Sequence, residues 1–171
     1  MTVLEGKNLK KPVLYWLGLV LFISLSFLVG LSGKFATQPA LTYWYPSLMK
    51  PDWTPPGWLF GPAWTVLYIL MSVSAWLIWR KDGFTEADKP AWTLYFSQLL
   101  LNGAWSFIFF GAHQIALALL DISLLWLCLI ATGVAFWQRN LLSGILLLPY
   151  IGWVFFAALV NGAIWFLNGS P

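Results

Sequence analysis

Charge is what this chain has least of: Asp, Glu, Lys and Arg make up 9% of its 171 residues, while 60% are hydrophobic. A soluble surface carries roughly a quarter charged residues, so a soluble globular domain is excluded. There is one cysteine, Cys128. It cannot form a disulfide within the chain, and its place inside an apolar run reads as a small filler. There is one histidine, His113, so two histidines of this chain cannot clamp a haem iron. It stands in a short connection, where a loop residue is favoured over a single axial ligand. No lysine lies in the middle of an apolar run, which excludes a retinal Schiff base. No cluster has metal-ligand spacing, and neither a phosphate-binding glycine loop nor a hydrolytic triad is present. Without an internal repeat, an inverted-repeat transporter is not supported.

What is present is apolar length. A bilayer core of about 30 Å needs roughly 20 apolar residues per helix, and five stretches satisfy this: about 13–31, 58–79, 91–110, 115–137 and 142–167. The connections are short except the first, 32–57. The expected fold is an all-α integral membrane protein: one domain over 1–171, a five-transmembrane-helix bundle with a long, partly ordered loop between helices 1 and 2. Every Lys and Arg falls outside these stretches or at their ends, as the cost of central charge demands. Lys7, Lys10, Lys11, Arg80, Lys81, Lys89 and Arg139 gather on one side, against Lys34 and Lys50 on the other. In an inner membrane that favours a cytoplasmic N-terminus. The net charge of +3 thus belongs to the flanks and points to no nucleic acid. Lys7, Lys10 and Lys11 resemble the start of a signal peptide. The apolar run after them is long for one and lacks a small-x-small cleavage site, so a retained helix is expected.

Punctuation predicts the details. Pro12 suits the start of helix one, and Gly30 and Gly33 are expected to loosen its far end. The first loop is crowded with Trp44, Tyr45, Met49, Pro51, Trp53, Pro55, Pro56 and Trp58, which favours a partly rigid lid on the bundle mouth. Thr54 before two prolines reads as a helix start, and Pro62 should bend the top of helix two. Residues 81–89 read as a solvated turn of mixed charge, with Pro90 opening helix three. Helices three and four, joined by about 111–114, should be antiparallel neighbours. Pro149 predicts a kink or a late start in helix five.

The second abundance is tryptophan, thirteen in all. A few anchor a membrane protein at the headgroups, yet Trp64, Trp105, Trp126 and Trp153 fall where apolar helices cross the bilayer. A rigid indole with one donor can line a cavity and stack on a flat ligand. Gln98, Asn102 and Trp105 share a face by helical spacing, as do Trp64, Tyr68, Met71 and Ala75, and again Trp153, Ala157 and Asn161. Amides facing lipid are expensive, so these faces point inward. Two readings stand: an aromatic cavity with an amide floor, or amides that join helices while the indoles pack. Asp121 is the one acid within a span, a functional candidate by default, with a structural role as the alternative.

Together these landmarks resemble the translocator protein/tryptophan-rich sensory protein family (TspO/MBR) from about residue 12 to 168. The most specific part is Trp44-Tyr45, then Leu48-Met49-Lys50-Pro51-Asp52-Trp53-Thr54-Pro55-Pro56, Gly61-Pro62-Ala63-Trp64-Thr65 and Leu67-Tyr68. Gln98, Asn102, Trp105, Phe109-Phe110-Gly111-Ala112, Asp121, Pro149-Tyr150, Trp153, Phe156-Ala157, Asn161 and Trp165 come after them in order. The resemblance implies a five-helix bundle, often a homodimer, with a pocket under the first loop. It implies flat hydrophobic ligands: protoporphyrin IX and haem, sterols, isoquinoline carboxamides. By position the family's pocket maps onto Tyr45, Trp64, Tyr68, Gln98, Asn102, Trp105, Asp121, Trp153 and Ala157.

Departures from the animal pattern narrow this. Gly162 follows Asn161 where animal members have Tyr, and Phe166 replaces their basic residue, so sterol binding through that motif is not expected. Leu117 and Leu120 replace a Trp and an Ala. The short tails suggest a bacterial member, in a bacterial membrane. The leading expectation is a multi-pass receptor and sensor for tetrapyrroles, with no required cofactor and no metal. Its partners are the ligand, membrane lipid and a second copy of the chain. Lys34 or Lys50 would stand near porphyrin carboxylates, and Ser26-x-x-x-Gly30 offers a subunit contact. The alternatives are porphyrin or lipid transport and light- and oxygen-dependent porphyrin degradation, for which Trp64 and Trp153 match the implicated indoles. No established enzyme class is implied.

Overall fold

The first helix runs well past the point where its glycines were expected to loosen it. In the computed structural model, which describes residues 10–169 apart from the side chains of 10–13 and 82, α1 spans Lys10–Ala40. Lys7 lies outside the described residues, as do the side chains of Lys10, Lys11 and Pro12. A Cβ on Gly30 would stand 2.5 Å from the Tyr68 ring, and one on Gly33 2.8 Å from Ser106 Oγ. The glycines therefore let two neighbouring helices approach α1, and a helix held by such packing outweighs their low propensity. Thr37 Oγ1 donates to the Gly33 carbonyl at 2.9 Å and carries the last turns.

This extension shortens the first connection to residues 41–56, against the expected 32–57, and places a four-residue helix, α2 (Trp44–Ser47), inside it. Helix α3 covers Gly57–Asp82, with Pro56 in extended conformation as its N-cap. Thr54 does not start the helix. Its Oγ1 and N both donate to the Pro51 carbonyl, at 2.7 and 2.9 Å, and close a separate turn. The helix continues through Pro62, which lies near its first turns, where few bonds are lost. It ends at Gly83, whose φ of 73° favours glycine and whose N–H reaches the Trp79 carbonyl.

A 3₁₀ turn (Glu86–Asp88) precedes α4 (Lys89–Ser106), which opens on Pro90 and closes in a π-helical turn, Phe107–Gly111. His113 carries a φ of 57° as the chain reverses into α5 (Ile115–Arg139). Only Asn140 separates α5 from α6 (Leu141–Leu167), and its Oδ1 accepts from Ser143 N at 3.1 Å. The cap starts α6 on time and it runs unbroken through Pro149, so the late start does not occur. The described residues contain helices and no strand.

Helix α5 lies along α6 and, as expected, α4, while α1 rests on α3 and α4, and α3 also meets α6. The main core gathers Phe22, Met71, Tyr95, Leu125, Phe136 and Tyr150 among others, and a smaller one forms around Phe109, Ala118, Val160 and Ile164. Among the described residues, four helices are long and apolar enough to cross a membrane: Leu14–Ala40, Gly57–Lys81, Ile115–Arg139 and Leu141–Leu167. Helix α4 is not among them, because Thr93, Ser97, Gln98 and Asn102 dilute its apolar run. The outward faces of the four remain apolar; on α1 Trp16, Leu17, Val20, Leu21 and Leu28 are all exposed. Such a belt suits lipid rather than water.

Candidate functional site

The stripes expected to face inward do so. Met71 and Ala75 are wholly buried, Tyr68 and Asn102 nearly so, and Gln98 completely. Their polar groups link three helices. The Tyr68 hydroxyl donates to Asn102 Oδ1 at 2.9 Å, and Asn102 Nδ2 donates to the Tyr150 hydroxyl at 2.7 Å. Trp64 covers this group, its ring 5.3 Å from that of Tyr68 and 5.9 Å, edge-on, from that of Tyr150. The hydrogen bonds of Asn102 are thus interhelical ones. One turn earlier, Gln98 Nε2 donates to Met71 Sδ at 3.1 Å, while its Oε1 is buried without a partner.

Trp105 joins the two cores. It packs against both, its Nε1 donates to Asn161 Oδ1 at 3.0 Å, and Asn161 Nδ2 donates to the Ile115 carbonyl at 3.0 Å. Its ring stacks on Phe109, with centroids 5.0 Å apart. Tyr45, from α2, contacts only the smaller core, edge-on to Phe109 and Phe110. Trp153 and Ala157 pack against the main core. The Trp153 indole N–H is buried and unpartnered, with Phe60 and Phe156 at its ring. Asp121 is buried on α5, its Oδ2 without a partner. Its neighbour one turn back, Ala118, belongs to the smaller core and the adjacent Ile122 to the larger, so Asp121 stands at the seam that Trp105 bridges.

The structure therefore connects Trp64, Tyr68 and Asn102 directly. It sets Gln98, Trp153 and Ala157 against the same core, and links Tyr45 to Trp105 only through Phe109 and Phe110. No hydrogen bond among the described residues ties Asp121 to the other eight. Among the described residues, no three His, Cys, Asp or Glu side chains approach closely enough to hold a metal ion.

Residues 22–166 match the TspO/MBR family model. The tryptophan-rich protein TspO of Archaeoglobus fulgidus is 41% identical over 140 residues, covering 82% of this chain and 90% of that one. Protein CrtK of Rhodobacter capsulatus is 43% identical, over 73% of this chain and 78% of its own. The human translocator protein is also 43% identical, over 71% and 73%. This chain belongs to the TspO/MBR family. It is a multi-pass integral membrane protein.

The family-specific loop is fastened rather than loose in this TspO/MBR chain. Asn168, just past α6, accepts from Met49 N at 2.9 Å and donates to the Met49 carbonyl at 2.8 Å. Trp44 stacks on His113 at 4.1 Å, and Trp53 lies 5.9 Å from Phe156. Lys50 does not point into open space: its Nζ donates to the Tyr45 and Leu48 carbonyls at 2.8 and 2.7 Å and lies 4.9 Å from the Tyr45 ring centre. Its charge is already engaged, whereas Lys34 is exposed on α1. The Ser26-x-x-x-Gly30 pattern is likewise used within the chain, since Ser26 Oγ meets Ser72 Oγ at 2.9 Å and Gly30 admits Tyr68.

Two clefts stand apart from the nine expected residues. One of about 450 Å³ lies under the first connection, between Phe35, Tyr43, Trp44, Phe110 and His113. The other, about 510 Å³, lies at the far end between α1 and α3. Sequence reasoning missed the bridging role of Tyr150, the Ser26–Ser72 contact and the Asn168 tie. Of these only Tyr150 carried a signal, one turn before Trp153 on the same inward stripe.

Proposed function

We propose that this protein is a membrane receptor and sensor that binds tetrapyrroles such as protoporphyrin IX or haem between its helices. The observation that carries the reading is that, of the eight buried side-chain polar atoms without partners among the described residues, three, Gln98 Oε1, Asp121 Oδ2 and Trp153 Nε1, belong to the nine expected pocket residues. Leaving such groups unmet costs roughly 1–3 kcal/mol each, so a ligand that supplies partners gains there while its flat face packs on Trp64, Tyr68, Trp105 and Trp153. Relatives named translocator protein and tryptophan-rich sensory protein support this choice. Helix α4 acts as a fifth span on this reading: with its π turn it runs Lys89–Gly111, roughly 35 Å at about 1.5 Å per residue and so enough to cross a core of about 30 Å, with its amides turned inward.

A dark titration of the purified protein with protoporphyrin IX tests the proposal. Saturable quenching of tryptophan fluorescence, weakened at least about tenfold in Trp105→Ala, is expected; unsaturable quenching overturns it. Illumination then separates sensing from photochemistry. The free Trp153 N–H and its position on the same core as Trp64 favour a second role in which an excited porphyrin reacts against an indole. Protein-dependent bleaching that disappears in a Trp153→Phe protein still able to bind supports that role, and bleaching at an unchanged rate removes it.

A further inference from the structure

The cleft at the opposite end from the loop has a chemistry of its own. Its floor is Trp76 of α3, fixed by an indole N–H that donates to the Tyr15 carbonyl of α1 at 2.8 Å and by a stack on Trp16 with centroids 5.6 Å apart. Arg80, one turn on, holds its guanidinium 4.8 Å from the Trp76 ring centre. Lys81 and Asn140 complete the rim. Asn140 Oδ1 is occupied in capping α6, so its amide N–H₂ is what it can offer a ligand.

Two features decide what suits this cleft. First, its cations form no salt bridge among the described residues, although Lys81 stands close enough to help Arg139 lower the Asp88 carboxyl. The described carboxylates of the neighbouring connection are each matched, Asp88 with Arg139 and Glu86 with Lys89, and among the described residues none pairs with Arg80 or Lys81. Lys10 and Lys11 open α1 at the same end. Second, the cleft adjoins an exposed apolar surface. From Trp16 the exposed side chains of Leu17, Val20 and Leu21 continue along α1 toward the middle of the bilayer. Basic side chains and interfacial indoles above an apolar rail match a molecule with an anionic head and hydrocarbon tails.

We propose that this cleft is a binding site for an anionic phospholipid. Arg80 and Lys81 pair with the phosphate, Asn140 donates to its oxygens, the Trp16–Trp76 pair packs against the glycerol, and an acyl chain follows the outer face of α1. The site is separate from the tetrapyrrole-binding interior and does not depend on it. It places this end at a leaflet rich in anionic lipid, in keeping with the side on which the basic residues gather.

The test is native mass spectrometry of the full chain released from micelles holding equimolar phosphatidylglycerol and phosphatidylcholine. Wild type is expected to retain phosphatidylglycerol preferentially, and the Arg80→Gln/Lys81→Gln double variant to lose roughly tenfold of that preference. Lys34→Gln, at the other end, should keep it. Both replaced side chains are exposed, so the thermal midpoint should not move; if the double variant fails to fold, Lys81→Gln alone is read, with about a threefold loss expected. Equal retention of the two lipids by wild type, or an undiminished preference in the variant, overturns the proposal. So does displacement of phosphatidylglycerol by an equal concentration of glycerol phosphate, which would mark a site for free phosphate.

Discussion

At one end of the bundle the connection between α3 and α4 is held by an ion pair; at the other, the connection between α1 and α3 is held by hydrogen bonds to backbone groups, with no ion pair among the described residues. Arg139, on the last turn of α5, donates from Nε to the Asp88 carboxylate and from its Nη atoms to the Ala87 and Ala135 carbonyls. Thr85 Oγ1 steadies the same carboxylate at 2.7 Å. The loop end has no carboxylate in its fastening: an amide, Asn168, pairs with the Met49 backbone, and an ammonium, Lys50, meets carbonyls of its own loop. Charge-assisted bonds are roughly twice as strong as neutral ones, and the Asn168–Met49 pair is exposed to competing water. If the protein binds a ligand between its helices as proposed, that contrast makes the loop end, with its water-exposed amide bonds, the expected route of access.

Arg139→Ala should break the stronger fastening and give the largest loss. It strips Asp88 of its guanidinium and frees the exposed Ala87 carbonyl, while the Ala135 carbonyl keeps its helical partner, for a cost of roughly 1–2 kcal/mol after allowing for partial exposure, read as a lower thermal midpoint in detergent. The pH dependence supplies the sign. The hydrogen bond from Arg139, followed by that from Thr85, holds the Asp88 carboxyl below its ordinary value. Its contribution is therefore fully present above about pH 4, the unfolded value, and is lost as pH falls through the lower folded value. The gap between wild type and Arg139→Ala should stay constant from pH 7 to about 5 and shrink below about 4. A gap that persists at pH 2 would show that the carboxylate is not what Arg139 holds.

Asn168→Ala should cost less stability, about 0.5–1 kcal/mol, but change kinetics more. With Met49 released, protoporphyrin association and dissociation should both quicken several-fold at a nearly unchanged equilibrium constant, as expected when a gate is loosened and the walls are kept. Stopped-flow tryptophan quenching reads both rates. Unchanged rates would move the access route away from this connection.

The two ends also differ in how far they could be read from sequence. Helix positions were legible because hydrophobic length leaves little choice: α5 and α6 lie within about two residues of their expected bounds. The extension of α1 was not legible, since Gly30 and Gly33 look like breakers until Tyr68 and Ser106 are seen filling the space that they leave. The inward stripes were legible because amides cannot face lipid. Their use was not: periodicity places Asn102 inside but cannot name Tyr68 and Tyr150 as its partners. Likewise nothing local links Asn168 to Met49, 119 positions apart, or tells whether Lys50 reaches outward or folds back.

Lys50→Gln addresses that last point and should have the smallest effect on binding. An ammonium that meets two carbonyls and a ring face belongs to the loop's own structure, so its removal at this half-buried site should cost about 0.5–1 kcal/mol. A glutamine amide can still donate to one of the two carbonyls. If Lys50 serves only the loop, porphyrin affinity should be unchanged within about twofold, whereas Lys34→Gln should weaken it if Lys34 meets a propionate. A larger loss of affinity in Lys50→Gln than in Lys34→Gln would mean that the ammonium leaves its carbonyls on binding. The loop end would then be an ionic fastening too, closed by the ligand's carboxylate in the way that Asp88 closes the other end.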